Sequence, residues 1–169
     1  MPLSLMPLLP TAANNGRQII GIDLATTAGW AVLSADGRRI DSGAWSCKVQ
    51  RGEGPSFRYI RFRRYLRALV AAYPDAILVY EKVERHLGTD AAHVYGALEA
   101  ALQEVCDDLA VPYHGIGVKV IKQTATGKGT AKKEAMVASA NVKWSPHVVS
   151  GHDEADALWC AECERLENV

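Results

Sequence analysis

The sequence predicts an α/β domain: a mixed five-stranded sheet with helices on both faces, strands 1–3 antiparallel and strands 4 and 5 parallel to strand 1. Three observations lead there. Three strand-like segments joined by tight turns come first in the chain. Strand and helix then alternate, the pattern of parallel crossover units. The length, 169 residues, is enough for one well-packed domain and too short for two comfortable ones.

Residues 18–24 read as a buried strand and 29–34 as a second. Asp36-Gly37 is a hairpin turn signal, and residues 39–46 form the third strand. After a loop at 52–55, Ser56 is placed to cap a helix that runs to about residue 73, where Pro74 stops it. Residues 76–81 are a short apolar strand of the buried, parallel type. Thr89 or Asp90 is expected to cap a long helix over 91–109, whose small residues Ala92, Gly96, Ala97, Ala100 and Ala101 predict close packing on another helix, across a dimer interface. A fifth strand follows at 111–116. A glycine- and lysine-rich loop is expected over 115–130, and then helices over 131–142 and 153–166. Residues 1–17, interrupted by Pro2, Pro7 and Pro10, read as a loosely docked extension ahead of the domain at 18–169.

Composition narrows the class. Hydrophobic residues make up 49% and charged residues 22%, which fits a soluble globular protein rather than a disordered one. No apolar run approaches the ~18 residues needed to span a bilayer. The prolines and the lack of a basic leading region fit a secretory signal poorly. Cys47, Cys106, Cys160 and Cys163 are scattered and suit reduced cytosolic thiols. The Cys160/Cys163 spacing has no second Cys or His pair, which argues against zinc. The net charge is zero, but its distribution is uneven. Lys48, Arg51, Arg58, Arg61, Arg63, Arg64 and Arg67 face only Glu53 within their stretch, and Lys119, Lys122, Lys128, Lys132 and Lys133 form a second basic block. Glu162, Glu164 and Glu167 collect at the other end. Such a map can build a polyanion-binding face on a neutral protein, or be the solvated face of a helix.

Four acids carry the chemistry. Asp23 ends Ile19-Ile20-Gly21-Ile22-Asp23, and Glu81 ends Ala76-Ile77-Leu78-Val79-Tyr80-Glu81. Both sit toward the carboxyl ends of strands, where open α/β sheets form their crevices. Asp153 and Asp156 are three apart and share a helix face. Read singly, Asp153 is an ordinary cap with Asp156 in the first turn, and Glu81 is the wet end of a strand. Asp23 resists that reading, because strand interiors are depleted in Asp and burying a carboxylate is costly. Four converging carboxylates imply a cation, and hard oxygen ligands favour Mg²⁺ or Mn²⁺. A pair of such ions, about 3.5–4 Å apart, would stabilise the attacking and leaving oxygens of an in-line phosphoryl displacement.

The motifs Gly21-Ile22-Asp23 with Gly29-Trp30-Ala31, Tyr80-Glu81-Lys82-Val83, the run from Val120 to Gly129, and Asp153-Glu154-Ala155-Asp156-Ala157-Leu158 resemble the RuvC family of Holliday junction resolvases. The matches fall in order across residues 18–166. The resemblance implies a ribonuclease H-like fold and a homodimeric, Mg²⁺-dependent endonuclease that makes paired nicks in a four-way DNA junction. It puts Asp23, Glu81, Asp153 and Asp156 on the four acidic catalytic positions. It puts Lys122, Lys128, Lys132 and Lys133 where members contact the DNA backbone, with Arg61, Arg64 and Arg85 as further DNA-binding candidates. Where bacterial members commonly carry a wedging aromatic after the strand-4 Glu, this chain has Glu84-Arg85-His86, with His86 the one ring available. That departure and the N-terminal extension look like a phage-type member, working in the host cytoplasm. Two rival readings share the features: an actin-like nucleotide-binding domain, whose first phosphate loop Gly21-Ile22-Asp23-Leu24-Ala25-Thr26-Thr27 resembles, and a non-catalytic branched-DNA-binding protein.

Overall fold

The computed structural model describes residues 16–86 and 88–167; the extension expected at 1–17 lies almost wholly outside them. Strands β1 (Ile19–Asp23), β2 (Thr27–Leu33) and β3 (Arg39–Ser46) are joined by short turns. Helix α1 (Phe57–Ala72), strand β4 (Ile77–Lys82), helix α2 (Thr89–Asp108) and strand β5 (Tyr113–Gly117) follow. Helices α3 (Val118–Thr126), α4 (Lys133–Lys143) and α5 (His152–Glu167) complete the order. The sheet runs β3-β2-β1-β4-β5, with β1–β2 and β2–β3 antiparallel and β1–β4 and β4–β5 parallel, as the sequence predicts.

Strand alternation divides the core into two layers. Ile20, Ile22, Leu78 and Tyr80 face the α1/α2 layer with Phe62, Leu66, Leu98 and Leu102. Ile19, Ile77 and Val79 face the layer of α3, α4 and α5 with Ile121, Met136, Leu158 and Ala161. Period two therefore sends residues 19, 21 and 23 of β1 and 77, 79 and 81 of β4 to the α5 side. The parallel pairing of Ile19 with Ile77 through Ile22 with Tyr80, carried one step on, sets Asp23 beside Glu81.

Two glycines let α5 lie directly on that face. A Cβ at Gly21 would stand 2.1 Å from the Ala157 carbonyl oxygen, and one at Gly29 only 1.8 Å from that of Asp153. Gly29 pairs with Asp23 across β1–β2, so the helix touches down beside the strand acid. Any larger residue at either position would hit helix backbone, which cannot rotate away.

Three local expectations are corrected. The loop predicted over 115–130 contains α3: Val118, Ile121 and Ala125 follow helical spacing, and the helix ends at Gly127 with φ of 76°. Gly88, not Thr89 or Asp90, is the N-cap of α2. Ser56 is the N-cap of α1 but makes no side-chain cap bond, because its own backbone is helical (φ −66°, ψ −20°) whereas a capping hydroxyl needs an extended one.

Candidate active site

The ends of β1 and β4 and the first turns of α5 enclose a cleft of about 490 Å³. Asp23, Glu81, Asp153 and Asp156 all line it, as the sequence predicts. Its other walls come from the β1–β2 turn (Leu24, Ala25, Thr26), Arg58 of α1, Asp90, Val94 and Tyr95 of α2, and Lys133 at the start of α4.

The electrostatics are those of crowded carboxylates. Burial, and then the charges of Glu81, Asp156 and Asp153, push Asp23 well above the usual carboxylate range, with Lys133 opposing. Burial and Asp156 raise Glu81 to about 7, while Lys122 and Lys133 pull it down. Asp156 rises to about 6, again chiefly through burial, against the pull of His152 and Lys122. His152 Nε2 lies 3.2 Å from Asp153 Oδ1 and 3.0 Å from Lys133 Nζ, so it links the helix acid to the nearest lysine. The donor set, four oxygen-bearing side chains that repel one another in a confined space, fits a hard divalent cation. The fit is of chemistry rather than of finished geometry: among the described residues no three His, Cys, Asp or Glu side chains already group as ligands of one ion.

Two of the four lysines predicted to bind DNA act at this cleft. Lys133 lines it, and Lys122, on α3, acts electrostatically on Glu81 and Asp156. Lys128 is exposed in the turn after α3, and Lys132 is exposed at the N-cap of α4. On α1 the basic run is less available than its sequence suggests. Arg61 is paired with Glu53 and donates to the Lys48 carbonyl at 2.9 Å. Arg63 reaches Glu104 at 2.6 Å and Arg67 reaches Asp108 at 2.5 Å, both on α2. Arg64 and Arg85 are exposed. His86, instead of projecting, lies against Tyr95 with ring centroids 4.8 Å apart. Tyr95 in turn holds the end of β4, donating to the Glu81 carbonyl and accepting from the Val83 N–H.

Sequence reasoning missed two groups. Arg58 and Asp90 belong to the cleft; a helical register anchored on the buried Phe62, Leu66 and Leu69 would have turned Arg58 inward. Glu154 is the other: only 1% exposed, it accepts from Ser42 Oγ and from the Ser150 N–H, each at 2.5 Å, with His147 Nε2 at 2.7 Å. Glu162 and Glu164, two of the acids that collect near the C-terminus, are likewise 1% exposed. Glu162 pairs with Lys143 and Arg165, and Glu164 with His114. The four cysteines are free and buried, and burial pushes the Cys160 and Cys163 thiols up, Cys163 to about 11.

No family model and no curated protein matches the sequence. Solved structures do match. The RuvC of Thermus thermophilus in complex with a Holliday junction substrate superposes with a TM-score of 0.76 at 19% identity, over 90% of this chain and 97% of that one. A further Thermus thermophilus RuvC structure gives 0.68 at 18%, over 86% and 91%. The yeast mitochondrial Holliday junction resolvase Ydc2 gives 0.60 at 15%, over 92% and 80%. With the sheet order and the two helical layers described above, the chain has the ribonuclease H-like fold of the RuvC-type resolvases.

Proposed function

We propose that this protein is a structure-selective DNA endonuclease that resolves four-way junctions by paired, metal-dependent nicks. The observation that carries the reading is the gathering of Asp23, Glu81, Asp153 and Asp156 around one cleft, in a fold shared with proteins of that activity. Those four carboxylates are the catalytic set and would hold Mg²⁺, with Mn²⁺ in its place, as two ions. The bound metal supplies Lewis-acid stabilisation of the transferring phosphoryl group and lowers the pKa of the attacking water. In the hydrolysis, the water oxygen bonds to phosphorus as one P–O ester bond breaks. The water gives up a proton and the departing sugar oxygen takes one. The protein's part is to present the phosphodiester to the acids. Lys133 and Lys122 face them, and Lys128 and Lys132 extend the basic rim along which the backbone would run. Arg64 and Arg85 are secondary contacts, and Arg61 contributes only by exchanging its Glu53 partner.

Paired nicks call for two sites related by a two-fold axis, and α2 is our choice for the contact. Gly96 and Ala100 are exposed on it, and a Cβ at Gly96 would meet nothing within 4 Å. Residues 18–169 form the nuclease domain, with residues 1–17 as its extension. Cytoplasmic action suits the four free cysteines; no helix among the described residues is long and apolar enough to cross a membrane.

The test is cleavage of an end-labelled four-way junction, with linear duplex of the same sequence as control, in Mg²⁺ and in EDTA. Symmetric nicks near the crossover in Mg²⁺ alone are expected. Tight junction binding without nicks in either Mg²⁺ or Mn²⁺ would turn the reading to an architectural protein.

A further inference from the structure

Helix α1 carries five arginines, and one of them differs from its neighbours. Arg61, Arg63 and Arg67 each pair with a carboxylate, and Arg64 is exposed. Arg58 is partly buried, lines the acidic cleft, and has a fully enclosed Nε with no hydrogen-bond partner among the described residues. Nor does its guanidinium form an ion pair with any of the five acids that share the cleft, Asp90 included. A guanidinium drawn partly out of water and left unpaired is costly, and the neighbouring arginines show that pairing is easily had on this helix. Its fork is built to take two oxygens of one planar or tetrahedral anion.

We propose that Arg58 binds the phosphodiester presented to the four carboxylates, its N–H groups donating to the non-bridging phosphate oxygens from the wall opposite α5. Arg58 lines the same cleft as the four acids, so a backbone phosphate presented to the carboxylates there enters a site that the guanidinium also borders. The four acids address the reacting oxygens, and Arg58 neutralises charge that grows on the others as the transition state forms. Lys133, the other cation lining the cleft, is exposed and meets His152 at 3.0 Å, whereas Arg58 is partly buried there with its Nε unpartnered among the described residues.

The inference rests on the proposed endonuclease activity, and the experiment separates the two. Single-turnover cleavage of a four-way junction in Mg²⁺ is measured for the wild type, Arg58→Ala and Arg58→Lys, with junction affinity and thermal midpoint alongside. Arg58→Ala is expected to lower the cleavage rate by roughly 10²-fold, the scale of one lost transition-state donor, with affinity down less than tenfold. Arg58→Lys should fall between, and added guanidinium should restore part of the Arg58→Ala rate. A cleaving wild type with an equally fast Arg58→Ala overturns this inference alone; so does a slowed variant that guanidinium does not rescue and whose midpoint has dropped. A wild type that cuts no junction in Mg²⁺ or Mn²⁺ overturns both readings.

Discussion

Glu154 and Asp156 are two residues apart on one helix, yet their carboxyls move in opposite directions. Burial would raise both. In Glu154, hydrogen bonds from Ser42, the Ser150 backbone and His147 outweigh it and hold the group down at about 2. Asp156, beside Asp153 on the same helix face, rises to about 6, chiefly through burial and with only partial relief from His152 and the lysines. The first arrangement ties α5 to β3 and to the loop before the helix, using a charge that the fold has fully solvated with its own donors. The second leaves acids that the protein alone does not neutralise. A structural acid such as Glu154 is matched by protein donors, whereas the cleft acids lack that match, which is the pattern the proposed cation site requires.

The largest expected effects set the two arrangements against each other. Asp23→Asn should reduce junction cleavage by 10³-fold or more, an order-of-magnitude expectation for losing a metal-holding carboxylate, while junction binding and folding persist. Its thermal midpoint should be unchanged or higher, since one repelling charge has gone. Glu154→Gln should do the reverse. Loss of its charge-assisted bonds costs about 2–4 kcal/mol of stability, and cleavage should fall only as far as the folded fraction does. Unfolding curves and cleavage rates for the two variants check this; an active Asp23→Asn would remove the metal mechanism.

Next in size is the pH dependence of stability, where the two groups have opposite signs. Glu81 titrates near 7 in the folded state against an ordinary value of 4.5, and Asp156 near 6 against 3.8. Over those intervals the folded state holds more protons than the unfolded one, so stability falls as pH rises from about 4 to about 7. Glu154, depressed to about 2, contributes stability that is present above 4.5 and lost as pH falls toward 2. Urea unfolding from pH 2 to 8 should therefore show an acid-side rise that Glu154→Gln flattens, and a fall toward neutrality that Glu81→Gln flattens. If Mg²⁺ is held by these carboxylates as proposed, it takes their deprotonated form and should raise the midpoint more at pH 8 than at pH 5.

The two acid groups also differ in how legible they are in the sequence. Asp23 and Glu81 can be placed because period two in a strand is strict: if residues 19 and 77 are core, 23 and 81 face the same way. Asp153 and Asp156 follow from helical spacing. Glu154 sits in the same motif and gives no sign of its role, because its hydroxyl partner Ser42 is 112 residues away. The pairing of Arg63 with Glu104 spans 41 residues, which is why a run of arginines read as one basic face is in part an α1–α2 seam. Helix α3 is masked by glycines at 115, 117, 127 and 129 that bracket it rather than interrupt it. The glycines at 21 and 29 read as ordinary strand residues until the helix backbone arrives against them.

The smallest effect concerns the rim. Lys122 and Lys133 act on the acids directly, whereas Lys128 is exposed beyond them, where a side chain can touch phosphate without touching chemistry. Lys128→Ala should thus weaken binding to any DNA of the right shape by a modest factor and leave the single-turnover cleavage rate at saturating enzyme unchanged. If Lys128 meets one phosphate, removing it makes the plot of log affinity against log salt shallower by about 0.7–0.9. Lys133→Ala, by contrast, should change both the slope and the rate, because the same lysine opposes the raised pKa of Asp23, Glu81 and Asp156. A Lys128→Ala protein with an unchanged salt slope takes that lysine off the DNA path and confines the backbone to the α3–α4 face nearest the cleft.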